Sequence, residues 1–350
     1  MPNRGCWRRA IWIALLGCGG FLWPWRTPEA APAPREVLAF WFGWYGNPHV
    51  SGNWAKWQPD ASHQAAADTA FAPTDGLYDS HDPVQLERQI AEAVSAGVTG
   101  FVADWWGPGT FGDGSLALLL KAAHAHPGFR VSAILDTLEG NGAAGHVSSA
   151  VNDLSYLIRN YGSDPAWLKV DSKPVVFIYD HAAAQLSLPL WTSVLAQIRS
   201  QTPNGIFAIE PRYDRAWIEA FDGAFTWGAG LNLEERRPDA SYAAALEHFQ
   251  MGTALARSAG KLSCAYVFPG YDDTRLGRPH PKVMSRAAGQ LYSALWQAAI
   301  AARPDWILIG TWNEWLEGTE IEPAAQYGQL YLNETRQFAS QFLAGGGSRR

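Results

Sequence analysis

Short apolar runs alternate with amphipathic stretches along the chain from residue 37 to its end. The apolar runs are rich in aromatic and β-branched side chains, which is typical of buried strands. They cover residues 37–44, 99–106, 130–136, 174–180, 205–210, 223–227, 262–268 and 306–312. The stretches between them repeat apolar residues at helical spacing, near residues 84–96, 115–125, 147–161, 189–200, 213–220, 240–259, 282–302 and 327–343. Eight strands that alternate with eight helices predict an α/β fold, a single (β/α)8 TIM-type barrel.

A Rossmann-type sheet would need fewer strand–helix units and a glycine-rich phosphate loop, and the sequence contains no such loop. We find no internal repeat and no second domain, so residues 36–345 are expected to form one catalytic domain. The first connection, residues 45–83, is long for a loop of this kind. It is therefore expected to form a lid or a wall of the active-site cleft.

The first 35 residues have the composition of a targeting segment. Arg4, Arg8 and Arg9 form a positively charged start, a short apolar core covers residues 11–18, and a Pro/Ala linker covers residues 27–34. The apolar part is too short and too interrupted for a membrane span of ~20 residues.

Three fates of this leader are open. Residues 15–18 (LLGC) resemble a lipobox, in which Cys18 would be lipidated after cleavage. Cleavage near residues 31–33 would make the segment an ordinary signal peptide, and an uncleaved leader would act as a membrane anchor. Each fate predicts an exported protein that is periplasmic, an outer-membrane lipoprotein, or anchored at the cell surface.

Composition narrows the range of partners and cofactors. The formal net charge is −6, so nucleic acid is not an expected partner. Beyond the leader Cys264 is the only cysteine, which leaves no disulfide framework and no zinc ligand set. His124 and His126 are two residues apart on a predicted helix, and the sequence contains neither an HExxH motif nor a GxSxG elbow. We expect no metal or other cofactor, and a monomer.

The densest group of acidic and aromatic residues follows the last predicted strand. This segment, WNEWLEGTEIEP, carries Glu314, Glu317, Glu320 and Glu322. Glu314 and Glu317 are three residues apart, so on a turn their side chains project to the same side. Two carboxylates in an aromatic-lined cleft are what glycoside hydrolysis commonly needs. Glu320 and Glu322 are equally consistent with charges on a surface loop.

The chain contains 18 tryptophans, and Trp can stack on the apolar face of a sugar ring while its N–H stays available. Aromatic and polar residues stand together at most predicted strand ends, which in a barrel form the active-site face. The candidate substrate-binding residues are Trp44, Tyr45, Asp104, Trp105, Trp106, Asp136, Tyr179, Trp227, Tyr271, Asn313 and Trp315. Asp104 is equally consistent with a salt bridge in the barrel core, and at least one of Trp44, Trp105 and Trp106 with a core position.

Five stretches of the chain resemble glycoside hydrolase family 99, the endo-α-mannosidase family, and its bacterial relatives. They are LAFWFGWYGNP (38–48), GLYDSHDP (76–83), AGVTGFVADWWG (96–107), FPGYDDT (268–274) and GTWNEWLEGTEIEP (310–323). The last is by far the most specific. The resemblance implies a (β/α)8 barrel and a retaining, metal-independent enzyme that cleaves α-mannosidic bonds within an oligosaccharide or polysaccharide.

The resemblance also implies unequal roles for the two catalytic carboxylates. Glu314 would act as general base on the sugar 2-hydroxyl, which attacks its own anomeric carbon and forms a 1,2-anhydro sugar. Glu317 would protonate the departing oxygen and then activate water. This division requires an apolar environment around Glu317, from Trp315 and Leu316, and an ionised Glu314. Asn313 is expected to orient Glu314 or to bind the sugar.

Two positions depart from the family pattern. Leu316 stands where the family commonly has His, and the third strand ends at Asp136, with Glu139 close behind, where the family tends to have Glu. Both changes weaken the transfer of the substrate more than the transfer of the reaction. The alternatives are an α-glucan hydrolase, a transglycosylase of envelope polysaccharide, and a non-catalytic glycan-binding barrel, although a binder would need neither glutamate.

Overall fold

A computed structural model of the protein describes residues 33–61, 66–227 and 238–345. The predicted targeting segment, apart from residues 33–35, lies outside the described residues. Within the described part of the chain, no helix combines the length and the apolar character that crossing a bilayer requires.

Eight parallel strands close into a barrel, and the predicted fold is confirmed. They are β1 (Glu36–Trp41), β2 (Gly100–Trp105), β3 (Arg130–Leu135), β5 (Lys173–Ile178), β6 (Phe207–Glu210), β7 (Gly223–Ala224), β8 (Leu262–Val267) and β11 (Trp306–Ile309). The first strand pairs with the last, Glu36 opposite Trp306. The ring is continued on the other side by β3 and β5, with Ala133 opposite Val176.

Helices follow the barrel strands in chain order. They are α1 (Pro83–Ser95), α2 (Phe111–Ala123), α3 (Gly142–Asn160), α4 (Asp180–Ala184), α5 (Leu188–Gln201), α6 (Arg215–Ala220), α7 (Pro238–Ser258), α8 (Gln290–Ala302) and α9 (Leu330–Ala344). The start of α1 shows how local sequence sets these bounds: the Asp82 carboxylate accepts the Val84 N–H at 2.9 Å, and Pro83 occupies the first helical position.

Three short strands lie outside the barrel. Strand β4 (Lys169–Val170) pairs with β5, and β9 (Tyr271–Asp272) forms an antiparallel hairpin with β10 (Val283–Met284). The prediction of a helix from residue 282 is wrong for its first turns, because Val283 and Met284 pair with β9 instead. Ala287, Ala288 and Gly289 then have positive φ, so the helix cannot begin before Gln290.

Aromatic rings fill the barrel interior. Phe40 lies 6.1 Å from Phe177 and 5.9 Å from Phe225 between ring centroids. Trp227 packs against Phe40 at 4.5 Å and Tyr266 at 5.2 Å, nearer the carboxyl ends of the strands. This packed layer forms a rigid floor beneath the mouth of the barrel.

Candidate active site

A cavity of about 620 Å³ lies at the carboxyl ends of the strands, within the size range of ligand pockets. Its walls combine aromatic rings with charged groups. The lining residues include Trp44, Lys56, Asp104, Asp136, Tyr179, Trp227, Tyr266, Tyr271, Arg278, Glu314 and Glu317. The structure therefore brings both candidate catalytic glutamates and six of the candidate substrate-binding residues into one cleft.

The loop after β11 holds Glu314 in a closed turn. Its backbone N–H donates to Thr311 Oγ1 at 2.8 Å, and its Oε1 accepts the Leu316 N–H at 3.0 Å. Only 4% of Glu314 is exposed. The carboxylate is thus fixed by its own loop, with its remaining acceptor capacity directed towards the cavity.

Glu314 is the more strongly buried of the two glutamates, which corrects the expectation that Glu317 would have the apolar environment. Burial raises the pKa of Glu314 well above its usual value, and the negative charges of Glu317 and Asp104 raise it further. The Lys56 charge and the Leu316 N–H act in the opposite direction. Glu314, the expected base, must therefore be ionised although burial favours its protonated form.

Glu317 lies at the open side of the cavity, with 32% of its side chain exposed. Arg278, in the turn of the β9–β10 hairpin, donates to Glu317 Oε1 at 2.8 Å. The same guanidinium donates to Asp273 at 2.9 Å and to the Tyr271 hydroxyl at 2.7 Å. Arg278 therefore joins the hairpin to the second glutamate of the site.

Asn313 and Trp315 anchor the catalytic loop from behind. Asn313 accepts the Phe42 N–H at 2.7 Å, and its amide donates to the Phe42 carbonyl and the Tyr78 hydroxyl, each at 3.0 Å. The Trp315 indole also donates to the Tyr78 hydroxyl, at 2.9 Å. The Tyr45 hydroxyl donates to the Asn313 carbonyl and accepts the Trp315 N–H, both at 3.1 Å.

Asn313, Trp315 and Tyr45 are each fully buried and do not line the cavity. The prediction that Tyr45 and Trp315 contact substrate is therefore wrong for this geometry, and of the two roles expected for Asn313 the contacts favour support of Glu314 over sugar binding. Buried polar groups persist where they are hydrogen-bonded, and the polar groups of these residues are satisfied by Phe42, by Tyr78 and by the bonds of Tyr45 to the loop backbone. They act on the site by holding the loop that carries Glu314.

Glu320 and Glu322 are also buried rather than surface charges. Arg286 donates to Glu320 Oε1 at 2.6 Å, while Gln89 and Tyr78 donate to Glu322, both at 2.8 Å. Burial raises the pKa of each to about 7 despite these partners. Neither side chain lines the cavity, so both secure the ends of the catalytic loop.

A second carboxyl pair faces Glu314 across the cavity. Asp104, at the end of β2, and Asp136, just after β3, both line the cavity, and they are close enough for the charge of one to act on the pKa of the other. Burial raises the pKa of Asp136 to about 6, while burial and the Asp136 charge raise that of Asp104 well above its usual value. The Trp106 indole donates to Asp104 Oδ2 at 2.6 Å.

The three candidate stacking tryptophans differ in exposure. Trp105 is fully buried, and its indole donates to Asp113 at 3.0 Å, so the prediction that it stacks on sugar is wrong. Trp106 is 44% exposed. Trp44 lines the cavity, with its ring centroid 6.5 Å from that of Trp106. The Lys56 ammonium lies over the Trp44 ring, 3.9 Å from its centroid.

Sequence reasoning missed Lys56, Arg278 and Tyr266. Lys56 lies in an irregular loop, and Arg278 follows the FPGYDDT stretch with no pattern of its own. Tyr266 stands inside a predicted strand, where a core role was the natural reading. It reaches the cavity because Gly310 has no side chain: a Cβ there would lie 1.7 Å from the Tyr266 hydroxyl.

Among the residues that the structure describes, no group of three or more His, Cys, Asp or Glu side chains is arranged to hold a metal ion. Cys264 is a buried residue of β8. The cavity instead offers two glutamates on one loop, two aspartates at neighbouring strand ends, and the cationic side chains of Lys56, Arg278 and Lys282. This set can exchange protons with a bound hydroxyl-rich ligand.

Residues 33–336 match the sequence pattern described as Glycosyl hydrolase family 99. The chain belongs to this family. The resemblance read from the five stretches is confirmed, and the protein is a glycoside hydrolase that acts on an oligosaccharide.

The family-99 relatives match this enzyme along most of its length. A mouse protein named glycoprotein endo-alpha-1,2-mannosidase-like protein is 26% identical, over 90% of this chain and 80% of its own. The glycoprotein endo-alpha-1,2-mannosidase of Xenopus laevis is 27% identical, over 90% and 79%. The solved family-99 endo-alpha-mannosidase of Bacteroides thetaiotaomicron is 26% identical and superposes with a TM-score of 0.76, over 89% of this chain and 99% of that one.

Trp106 is exposed beside Trp44 of the cavity lining, so Trp106 and the buried Trp105 form a matched pair for testing whether sugar reaches this tryptophan. We expect Trp106→Ala to weaken oligosaccharide binding by ~1 kcal/mol, about fivefold, with an unchanged melting temperature. Trp105→Ala should instead lower stability by ~3–5 kcal/mol, because it empties a packed site. Calorimetric titration and thermal unfolding separate the two outcomes. Unchanged binding by Trp106→Ala would place the sugar elsewhere in the cleft.

Proposed function

We propose that the enzyme is an endo-acting, retaining glycoside hydrolase of α-mannosidic bonds that uses the substrate's own 2-hydroxyl as nucleophile. The observation that carries the proposal is the placement of Glu314 and Glu317 on one loop, both facing the same cavity. The mannosidase names of the relatives support the substrate. The two glutamates have different environments, because Glu314 is buried and Glu317 is open to the cleft. This difference supports unequal roles for them.

Stereochemistry connects the substrate to this reaction. In an α-mannoside the 2-oxygen and the glycosidic oxygen lie on opposite faces of the ring, so the 2-oxygen can attack the anomeric carbon from behind the leaving group. In an α-glucoside the two oxygens lie on the same face, and this attack is not available. An enzyme that works in this way therefore selects the manno configuration through the reaction itself.

In the first step Glu314 accepts the proton of the 2-hydroxyl. The oxygen forms a bond to the anomeric carbon while the glycosidic bond breaks, and the departing oxygen takes a proton from Glu317. The products are a 1,2-anhydro sugar and the released aglycone. The ring closure is intramolecular, so it carries no cost of bringing two molecules together.

In the second step Glu317, now ionised, accepts a proton from water, which attacks the anomeric carbon. The bond between that carbon and the 2-oxygen breaks, and the 2-oxygen recovers its proton from Glu314. Two inversions at one carbon give net retention. The hydrogen bond from Arg278 to Glu317 suits the state in which the second step begins, because a guanidinium stabilises an ionised carboxylate. Loss or lengthening of that ion pair on substrate binding would return the acid function.

The test is a hydrolysis screen of the purified protein against matched α-mannan and α-glucan oligosaccharides of equal length. We expect cleavage within the α-mannan chains and none of the α-glucans, and a product whose first-formed anomer is α. The Glu314→Gln/Glu317→Gln double variant is the matched control for contaminating activity. Cleavage of α-glucans would contradict the mechanism, and binding without cleavage of either substrate would contradict the enzyme's proposed specificity.

A further inference from the structure

Lys56 is presented to the cavity by a firmly anchored segment of the long loop after β1. The residue before it, Ala55, exchanges two backbone hydrogen bonds with Gly46, each at 3.0 Å. The residue after it, Trp57, is buried, stacks on Tyr45 at 4.0 Å between ring centroids, and donates its indole N–H to the Tyr78 carbonyl at 2.8 Å.

The backbone of Lys56 itself is strained. Its φ is +58°, a left-handed conformation that side-chain-bearing residues rarely adopt. The flanking contacts of Ala55 and Trp57 hold it in that conformation. Residues held in this way concentrate at functional sites, because the surrounding structure has to impose the unfavourable geometry.

The strained conformation directs the ammonium over the Trp44 ring, 3.9 Å from its centroid. From there Lys56 lines the same cavity as Asp104, Asp136 and Glu314, and its positive charge favours the ionised form of all three carboxyl groups. The ring attracts the cation and fixes its position, while the carboxylates supply the opposite charge.

We propose that Lys56 is a positioning residue of the reaction, whose ammonium holds the negative charge of Glu314 in place so that this carboxylate can accept a proton. The inference rests on the proposed function, in which Glu314 is the base. Lys56 lies in the loop after β1, whereas Glu314 and Glu317 both lie in the loop after β11. The inference therefore adds a residue from a second loop to the proposed reaction.

The charged groups around Glu314 oppose one another. Glu317 on the same loop and Asp104 at the end of β2 both oppose its ionisation. Burial raises the pKa of the nearby Tyr45 hydroxyl, and the Glu314 charge raises it further. Lys56 lines the same cavity, and its positive charge favours the ionised form of Glu314. Without it, burial and two like charges would all favour the protonated, non-basic form.

The test compares the pH dependence of kcat/KM in the full-length wild type, Lys56→Met, Lys56→Arg and Lys282→Met. We expect Lys56→Met to move the acidic limb about one pH unit higher, since loss of an opposite charge raises the pKa of Glu314 further. Activity on the limb should then fall about tenfold, with a smaller change on the plateau. Lys56→Arg should restore the limb, because it keeps the charge.

Lys282→Met is the matched control, because it removes a positive charge from the same cavity at a different place, beside the short strand β10. Its limb should stay at the wild-type position. An equal fall in kcat/KM at every pH for Lys56→Met, or an equal limb shift for Lys282→Met, would overturn the role of Lys56. Retained activity of Glu314→Gln would instead overturn the proposed base, so the two failures are distinguishable.

Discussion

Glu314→Gln is expected to abolish turnover of every α-mannoside, natural or activated. The amide keeps the shape of the side chain, and its oxygen can still accept the Leu316 N–H, but it cannot take the proton of the 2-hydroxyl. Because the nucleophile would then remain a neutral hydroxyl, leaving-group activation does not rescue the reaction. The loss should reach or exceed the ~10²–10⁴-fold range of general acid–base catalysis, measured as kcat on an oligosaccharide and on an aryl mannoside.

Two controls separate this loss from a folding defect. Glu314→Gln should keep or raise the melting temperature, since it removes a buried charge that faces Glu317 and Asp104. Glu320→Gln, on the same loop, should lower stability by ~3–5 kcal/mol, because it leaves the buried Arg286 without its carboxylate.

A 2-deoxy mannoside should resist the wild-type enzyme. Its efficient cleavage, or a sugar trapped covalently on Glu314, would contradict the substrate-assisted mechanism.

Glu317→Gln is expected to give a result that depends on the leaving group. A natural glycan leaves as a poor alkoxide and needs the acid, so its cleavage should fall by ~10²–10⁴-fold. An aryl glycoside with a good leaving group needs little protonation, so its first bond should still break. The enzyme should then stall at opening of the anhydro sugar, which would appear as a rapid release of about one equivalent of phenol followed by slow turnover.

Rapid-quench measurement of phenol release, with the enzyme in micromolar excess and then in deficit, distinguishes the two phases. Arg278→Lys is a useful companion, because it keeps a positive charge near Glu317 but loses the planar fork that also reaches Asp273 and Tyr271. Equal losses of Glu317→Gln on natural and aryl substrates would show that Glu317 is not the acid.

The barrel could be predicted from sequence because its signal is local. Each barrel strand is an apolar run, an amphipathic stretch follows it, and this alternation recurs eight times along the chain. The main error fell on residues 282–289, where the pattern continues into a hairpin. Pairing of Val283 with Asp272 decided that segment, and a partner eleven residues away leaves no mark on local periodicity.

The site was harder, because exposure depends on which way a side chain turns. Adjacent tryptophans at the end of β2 looked equivalent, yet Trp105 faces Asp113 in the core and Trp106 faces Asp104 and solvent. The same holds for Asn313 and Glu314: one turns back to the barrel, the other towards the cavity. The charge environment of a side chain is even harder to predict from sequence, since the burial of Glu314 and the ion pair of Glu317 arise from contacts with other loops.

The backward-facing bonds of Asn313 have a consequence for the order in which the enzyme becomes active. Phe42 and Asn313 are 271 residues apart, and β1 gains its second neighbour only when β11 is made. A nascent chain of three hundred residues therefore contains seven of the eight barrel strands but neither glutamate, and the first strand still exposes one unpaired edge. Contacts of such long sequence separation slow folding, so the catalytic loop and the final closure of the barrel should form together, late in synthesis.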